Sequence, residues 1–181
     1  SDFLGGIHRF AAVTDDSKHR APSSIDSFEQ NITFVDLAPV LLANSASVRW
    51  LQDRALQSFG MERFRPNVIV DAGEPWIEDS WRDLTIGAAN LTAEVPWPRC
   101  AVPQIDQESG ERQREPAVVL RAHRWCSEAP TLEGNWKTMT EGNALFGMGC
   151  RVAPAGSTIK VGDLVEVQTF QDPILAPPLD I

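Results

Sequence analysis

The sequence predicts a mainly β protein, a barrel of short strands with a few peripheral helices, and three observations carry that prediction. Short apolar runs recur along the chain, at residues 40–42, 68–70, 84–86, 90–95, 145–152 and 164–167. Turn residues separate them, with Gly or Pro at Gly60, Pro66, Gly73, Pro75, Gly87, Gly110, Gly156 and Gly162. Only two segments carry a convincing helical signal, too few to cover both faces of a parallel sheet.

In order, residues 7–14 alternate weakly and predict a first strand, and residues 15–31, rich in Ser and Asp, predict a long loop. Residues 40–42 read as a short buried strand. A helix follows, capped by Asn44 or Ser45, with Val48, Leu51, Ala55 and Phe59 at helical spacing and Gly60 as the residue that ends it. Val68-Ile69-Val70 is a buried strand, 71–75 is turn chemistry, and 78–81 is a single helical turn ahead of strands at 84–86 and 90–95. Pro96-Trp97-Pro98 forces an extended approach to Arg99 and Cys100. Residues 101–105 with a turn through 106–110 suggest a hairpin. Pro116 opens a second helix to about Cys126, with Val118, Val119 and Ala122 inward. Residues 128–142 read as a long loop, 145–152 and 164–167 as closing strands, and the aperiodic tail as a terminus.

A length of 181 residues with 43% hydrophobic content suits one globular domain with appendages. A formal charge of −9 and a pI near 4.8 argue against a nucleic-acid partner, because such proteins gather Lys and Arg on one face. No apolar run approaches the roughly 20 residues of a membrane span. With no signal pattern at its start, the chain reads as cytoplasmic. It begins with Ser1, so we expect a processed product or a piece of a longer protein. Cys100, Cys126 and Cys150 are far apart and odd in number, which disfavours a disulfide scaffold, and His8, His19 and His123 have no zinc-ligand spacing. The nucleophile elbow, the P-loop and the dinucleotide fingerprint are all missing.

Two segments carry chemistry. In the first, Arg63-Phe64-Arg65-Pro66-Asn67, a residue ahead of proline favours extended backbone, so Arg63, Arg65 and Asn67 are expected on one face and Phe64 on the other. Two guanidinium forks so placed hold a phosphate or carboxylate, although arginine pairs also serve as structural ion-pair partners. The second is Arg99-Cys100, where a neighbouring cation favours a thiolate, both a nucleophile and a soft-metal ligand. Cys126 and Cys150 read as small buried hydrophobes.

These residues belong to a longer ordered set: Phe34-x-Asp36, Pro39-Val40-Leu41-Leu42, Ser45-Ala46-Ser47, Arg63 to Asn67, Glu78-Asp79-x-Trp81, Ile86-Gly87, Arg99-Cys100 and Val161-Gly162-Asp163. The order resembles that of MOSC domains, found at the C-terminus of molybdenum-cofactor sulfurases, whose pyridoxal-phosphate domain lies elsewhere, and in amidoxime-reducing components. The resemblance implies a MOSC-type β-barrel over residues 34–170. Residues 1–33 would then be a connecting segment leaving an N-terminal barrel domain, and 171–181 a Pro-rich tail or linker. It implies binding of the molybdenum pyranopterin cofactor, with Cys100 as metal ligand and catalytic centre. Arg65 and Asn67 would grip the cofactor, with Arg63, Arg99, Ser45 and Ser47 as further cofactor-binding candidates. A fragment without the upstream barrel would lose part of that pocket. The implied activity is reduction of N-hydroxylated compounds, with electrons from a separate flavin, haem or iron-sulfur partner. Two other readings stand beside it: a sulfur-transfer domain carrying a persulfide on Cys100, and a non-catalytic cofactor-binding module. Glu78 and Asp79 are expected to cap a helix or pair with Arg63, and Trp81 to pack in the core.

Overall fold

A computed structural model describes residues 38–178 apart from Ala155. The strand expected at 7–14, the loop at 15–31, the Phe34 and Asp36 positions and the last three residues lie outside the described residues.

The fold is mainly β, as expected. Its strands are β1 (Val40–Asn44), β2 (Val68–Val70), β3 (Trp81–Ile86), β4 (Ala89–Pro98), β5 (Trp125–Cys126), β6 (Asn143–Ala153) and β7 (Val165–Phe170). They form one curled, half-barrel sheet in the order β2-β1-β6-β4-β3-β7, with β5 paired to the start of β6. Only β1 and β2 run parallel among these pairs. Among the described residues there are three helices, α1 (Ser45–Gln52), α2 (Ala117–His123) and α3 (Gly134–Thr140). None of the described helices is long and apolar enough to cross a membrane.

The sheet separates two cores. On one side Leu42, Val70, Trp81, Leu84, Ile86, Leu91, Met148 and Cys150 pack together; on the other Ala43, Trp50, Leu51, Phe64, Trp76, Leu120 and Phe146 join helices to sheet. Leu42 and Ala43 fall on opposite sides because successive strand residues alternate. Phe146 and Met148 break that rule, two apart yet in different cores. Gly147 between them has φ +79°, a left-handed conformation that resets the alternation as a bulge does.

The prolines of β4 are tolerated by position. β3 pairs with β4 only as far as Thr92, so Pro96 and Pro98 lie where β4 has β6 alone beside it, and their missing N–H groups cost no ladder bond on the open side.

Several expectations need correction. Helix α1 stops at Gln52, its end tightened by Arg54 N donating to the Leu51 carbonyl (3.1 Å); Ala55 and Phe59 still pack on the α1 core, but from a loop. Their spacing imitated a helix because both were selected to reach the same core. Helix α2 ends at His123 and buries Val119 and Leu120, whereas Val118 and Ala122 are exposed. The hairpin expected after Cys100 is present around the 106–110 turn, but it is shorter than expected: a 3₁₀ turn (Val102–Gln104) takes the place of its first strand and a single antiparallel bridge, Ile105 to Arg112, forms its ladder. Within 128–142 the sequence missed α3, whose surface is mostly polar and offers little apolar period.

Candidate functional site

The turn that carries the arginines is not extended. Met61–Phe64 is a 3₁₀ turn, closed by Arg65 N donating to the Glu62 carbonyl (3.1 Å), and Arg65 itself is left-handed (φ 53°, ψ 46°) despite the following proline. Arg63, Arg65 and Asn67 therefore do not share one face. The turn exists to bury Phe64, which stacks on Phe146 with ring centroids 3.9 Å apart and is 1% exposed. Packing of that ring outweighs the backbone preference of a pre-proline residue.

Arg63 goes inward. Its Nη2 donates to Asp106 Oδ2 (2.9 Å) and Gln113 Oε1 (2.6 Å), and its Nη1 to the Pro103 carbonyl (3.2 Å). It is a clamp on the loop that follows Cys100, and its acidic partner is Asp106, not Glu78 or Asp79. Asn67 anchors the start of β2: its Oδ1 accepts from Leu41 N (2.7 Å) and its own N donates to the Leu41 carbonyl (2.9 Å). Arg65 is exposed, and its guanidinium makes no hydrogen bond or ion pair among the described residues.

Arg99 links this turn to Cys100. Its Nη2 donates to the Phe64 carbonyl (3.0 Å), its Cζ sits 5.5 Å from the Phe64 ring centroid, and its backbone N donates to the Ala144 carbonyl at the start of β6 (2.8 Å). Residues 64 and 99 are thus bonded, so Arg65 and Cys100 each lie one residue from the same contact. Cys100 is a free, exposed thiol; Cys126 and Cys150 are free and buried, as expected. Burial pushes the Cys150 thiol up to about 12, helped by the charge of Glu94, and raises Cys126 as well. Of the three, Cys100 alone is open to solvent.

The start of α1 is engaged by the fold. Asn44, fully buried, caps it by accepting from Ala46 N (3.0 Å) and donates Nδ2 to Glu78 Oε2 (2.9 Å). Ser47 Oγ donates to Glu78 Oε1 (2.5 Å) and accepts from Trp76 N (2.8 Å). Ser45 Oγ donates to Asp71 Oδ1 (2.9 Å), which Arg49 also reaches (3.1 Å). These bonds, the serine's first, hold the Asp71 carboxyl below its ordinary range. Asn67 and Asp71 flank β2 at opposite ends, roughly 13 Å apart at the rise of a strand, so the serines and Asn67 do not converge on one point.

Glu78 and Asp79 are structural partners of other residues. Burial, and then the neighbouring Asp79, pushes the Glu78 carboxyl up to about 7, against the bonds from Ser47 and Asn44. Asp79 Oδ2 accepts from Arg124 Nη2 in a buried ion pair, and Arg124 lies over the Trp76 ring at 4.2 Å. Trp81 is in the core, 5% exposed. Sequence reasoning missed Arg124; one cue was its place after an apolar helical stretch, where a buried acid elsewhere demanded a cation.

Comparison with known proteins gives the family of the chain. Residues 29–166 match the MOSC domain family. The chain is 34% identical over 143 residues to mitochondrial amidoxime reducing component 2 of Rattus norvegicus, covering 77% of this chain and 40% of the relative. It is 30% identical over 161 residues to the Bos taurus protein of the same name, covering 87% and 46%. Molybdenum cofactor sulfurase 2 of Culex quinquefasciatus is 40% identical over 123 residues, covering 58% of this chain and 16% of that protein. The chain thus spans less than half the length of these relatives.

Proposed function

Because the chain belongs to the MOSC domain family, we propose that it binds the molybdenum pyranopterin cofactor where Cys100 and Arg65 flank the Arg99–Phe64 bond and forms part of an oxidoreductase acting on N-hydroxylated compounds. The observation that carries this reading is the placement of an exposed thiol and an exposed guanidinium, without a hydrogen bond or ion pair among the described residues, on either side of the Arg99–Phe64 bond. The donor set fits the group: a soft thiolate suits molybdenum and a free guanidinium suits a phosphate.

When bound, the cofactor supplies two-electron oxygen-atom chemistry, by which an N–OH group with two electrons and two protons yields N–H and water. Within this chain Cys100 holds the metal through its thiolate. Arg65 grips the anionic end of the cofactor, and Asn67 offers its side-chain Nδ2, since its Oδ1 already serves Leu41. Arg99 positions both halves, and Arg63 fixes the loop behind Cys100. Ser45 stands as an outer polar contact, and Ser47, buried beneath Glu78, acts only through α1. The electrons come from a separate flavin, haem or iron-sulfur protein.

A second reading rests on the accessibility of Cys100. An exposed, unbridged thiol also suits a persulfide carrier passing sulfur to an acceptor. Molybdenum and pterin content, measured on this chain and on the longest natural version of it from a host that makes the cofactor, separates the two. Near-stoichiometric molybdenum lost on Cys100→Ala supports the oxidoreductase reading. No metal in either form, with Cys100 isolated as a persulfide, replaces it with sulfur transfer.

A further inference from the structure

A cavity of about 320 Å³ lies beside the second half of β4, lined there by Glu94 and Pro96, and is closed by the segments around Leu132 and Leu175; Cys100 is not part of its lining. The antiparallel register Asp83↔Thr92 brings the start of β3 beside Glu94, so Asp79, just ahead of β3, and Glu94 share this wall. Both side chains are nine-tenths buried or more, 5% and 10% exposed. Each meets one arginine: Asp79 Oδ2 accepts from Arg124, and Glu94 Oε1 from Arg151. Each keeps a second oxygen, Asp79 Oδ1 and Glu94 Oε2, buried with no hydrogen-bond partner among the described residues. Two such atoms on one cavity are a standing cost, because a buried acceptor without a donor forfeits its solvation.

The remaining lining sets the chemistry of an occupant. Pro96, Leu132, Ile174 and Leu175 give apolar walls for an alkyl or aryl group, and exposed Asp172 adds negative charge at the rim. Arg82 is the cation on this wall, and its Nη1 is drawn to the Ala93 carbonyl (3.1 Å). We infer that this cavity is a second ligand site, independent of the Cys100 site, which takes a small planar cation with an apolar tail, an alkylguanidinium or similar, whose N–H groups meet Asp79 Oδ1 and Glu94 Oε2. A planar fork of N–H donors suits carboxylate oxygens better than a point charge does. Desolvation by burial raises the Asp79 carboxyl, against the charge and hydrogen bond of Arg124.

Titration calorimetry of the full chain with N-butylguanidinium, N-butylurea and butyrate tests this. The expected result is saturable binding of the guanidinium, weakened at least about tenfold by Glu94→Gln or by the neutral urea, in line with a hydrogen bond to a charged group. Leu175→Trp, which fills the cavity and leaves the carboxylates, should abolish binding by itself, so the test does not hang on one variant folding. Cys100→Ala should bind as the parent does, which keeps the result separate from the cofactor reading. Absence of guanidinium binding, equal binding of the urea, preference for butyrate, or binding untouched by both cavity variants would each overturn the inference.

Discussion

At Arg65 the backbone is left-handed with a proline behind it, and a side chain there costs roughly 1 kcal/mol relative to what glycine would cost. The side chain returns none of this through contacts among the described residues, so we expect Arg65→Gly to leave stability unchanged or raise it by up to about 1 kcal/mol in urea unfolding. The same substitution should lower molybdenum-cofactor retention, measured as pterin released per chain. A loss of stability together with unchanged retention would place Arg65 with the fold and not with the site. Cys100 and Arg65 were legible in the sequence because their neighbours mark them, a cation beside a thiol and a Pro-Asn step ahead of a strand. Their geometry was not legible, since the burial of Phe64 that turns the chain depends on Phe146, far away in sequence. Glu78 gives a second prediction. Its carboxyl is pushed from an ordinary 4.5 up to about 7 by burial and Asp79. The folded state therefore holds a proton that the unfolded state releases, and stability falls as pH rises from below 5 toward 7, by roughly 3 kcal/mol in total. Glu78→Gln removes the titration but spoils one of the bonds from Asn44 and Ser47, worth about 1 kcal/mol. Urea midpoints should show the variant weaker than its parent at pH 5 and level with it or stronger at pH 8. Parallel pH profiles of the two proteins would disprove the assignment.

Among the elements, β6 does the most to define the molecule, pairing with β1, β4 and β5 while serving both cores. Its switch is Gly147, where an added Cβ would stand 2.8 Å from the Leu42 carbonyl oxygen and 2.9 Å from Leu41 Cδ1, with φ at +79° besides. Both obstacles belong to β1; the Leu41 side chain can shift, but the Leu42 carbonyl oxygen is backbone and does not yield by a rotamer change. Gly147→Ala should cost about 3 kcal/mol or more, with thermal unfolding as the readout. A cost below about 1 kcal/mol would mean that β1 can move, and that the separation of the two cores is looser than its packing implies. Strands were the readable part of this sequence because each carries its own apolar run, and β1, β2, β3, β4, β6 and β7 all fall on segments read as strands. Helices were less readable for opposite reasons. Ala55 and Phe59 extended the apparent period of α1 from a loop, and α3 has too little buried surface to impose a period.

For the whole molecule, the Asp79–Arg124 pair fastens the turn ahead of β3 to the end of α2, elements 45 residues apart in sequence. Arg124 also reaches the Leu145 carbonyl (3.4 Å) and covers Trp76, so the pair lies where the helical core meets the sheet. It is nevertheless imperfectly satisfied, with Asp79 Oδ1 and Arg124 Nη1 both buried without hydrogen-bond partners among the described residues. A buried pair of this kind offsets its own desolvation poorly, while either member alone is far worse. Arg124→Met should therefore destabilise by about 3 kcal/mol or more at pH 8, because a buried carboxylate loses the cation it is paired with. Burial already raises Asp79 against the pull of Arg124, and removing that pull raises it further. The folded variant then keeps the Asp79 proton to higher pH than the unfolded chain does, so its deficit should shrink as pH falls toward 5. Adding Asp79→Leu to Arg124→Met should restore at least about 1 kcal/mol at pH 8, since no charge is left to strand. Urea unfolding of the four proteins at pH 8 and pH 5 closes the cycle. Additive losses, with no dependence on pH, would mean that Asp79 and Arg124 act through packing alone and that the join between helical core and sheet does not depend on their charges.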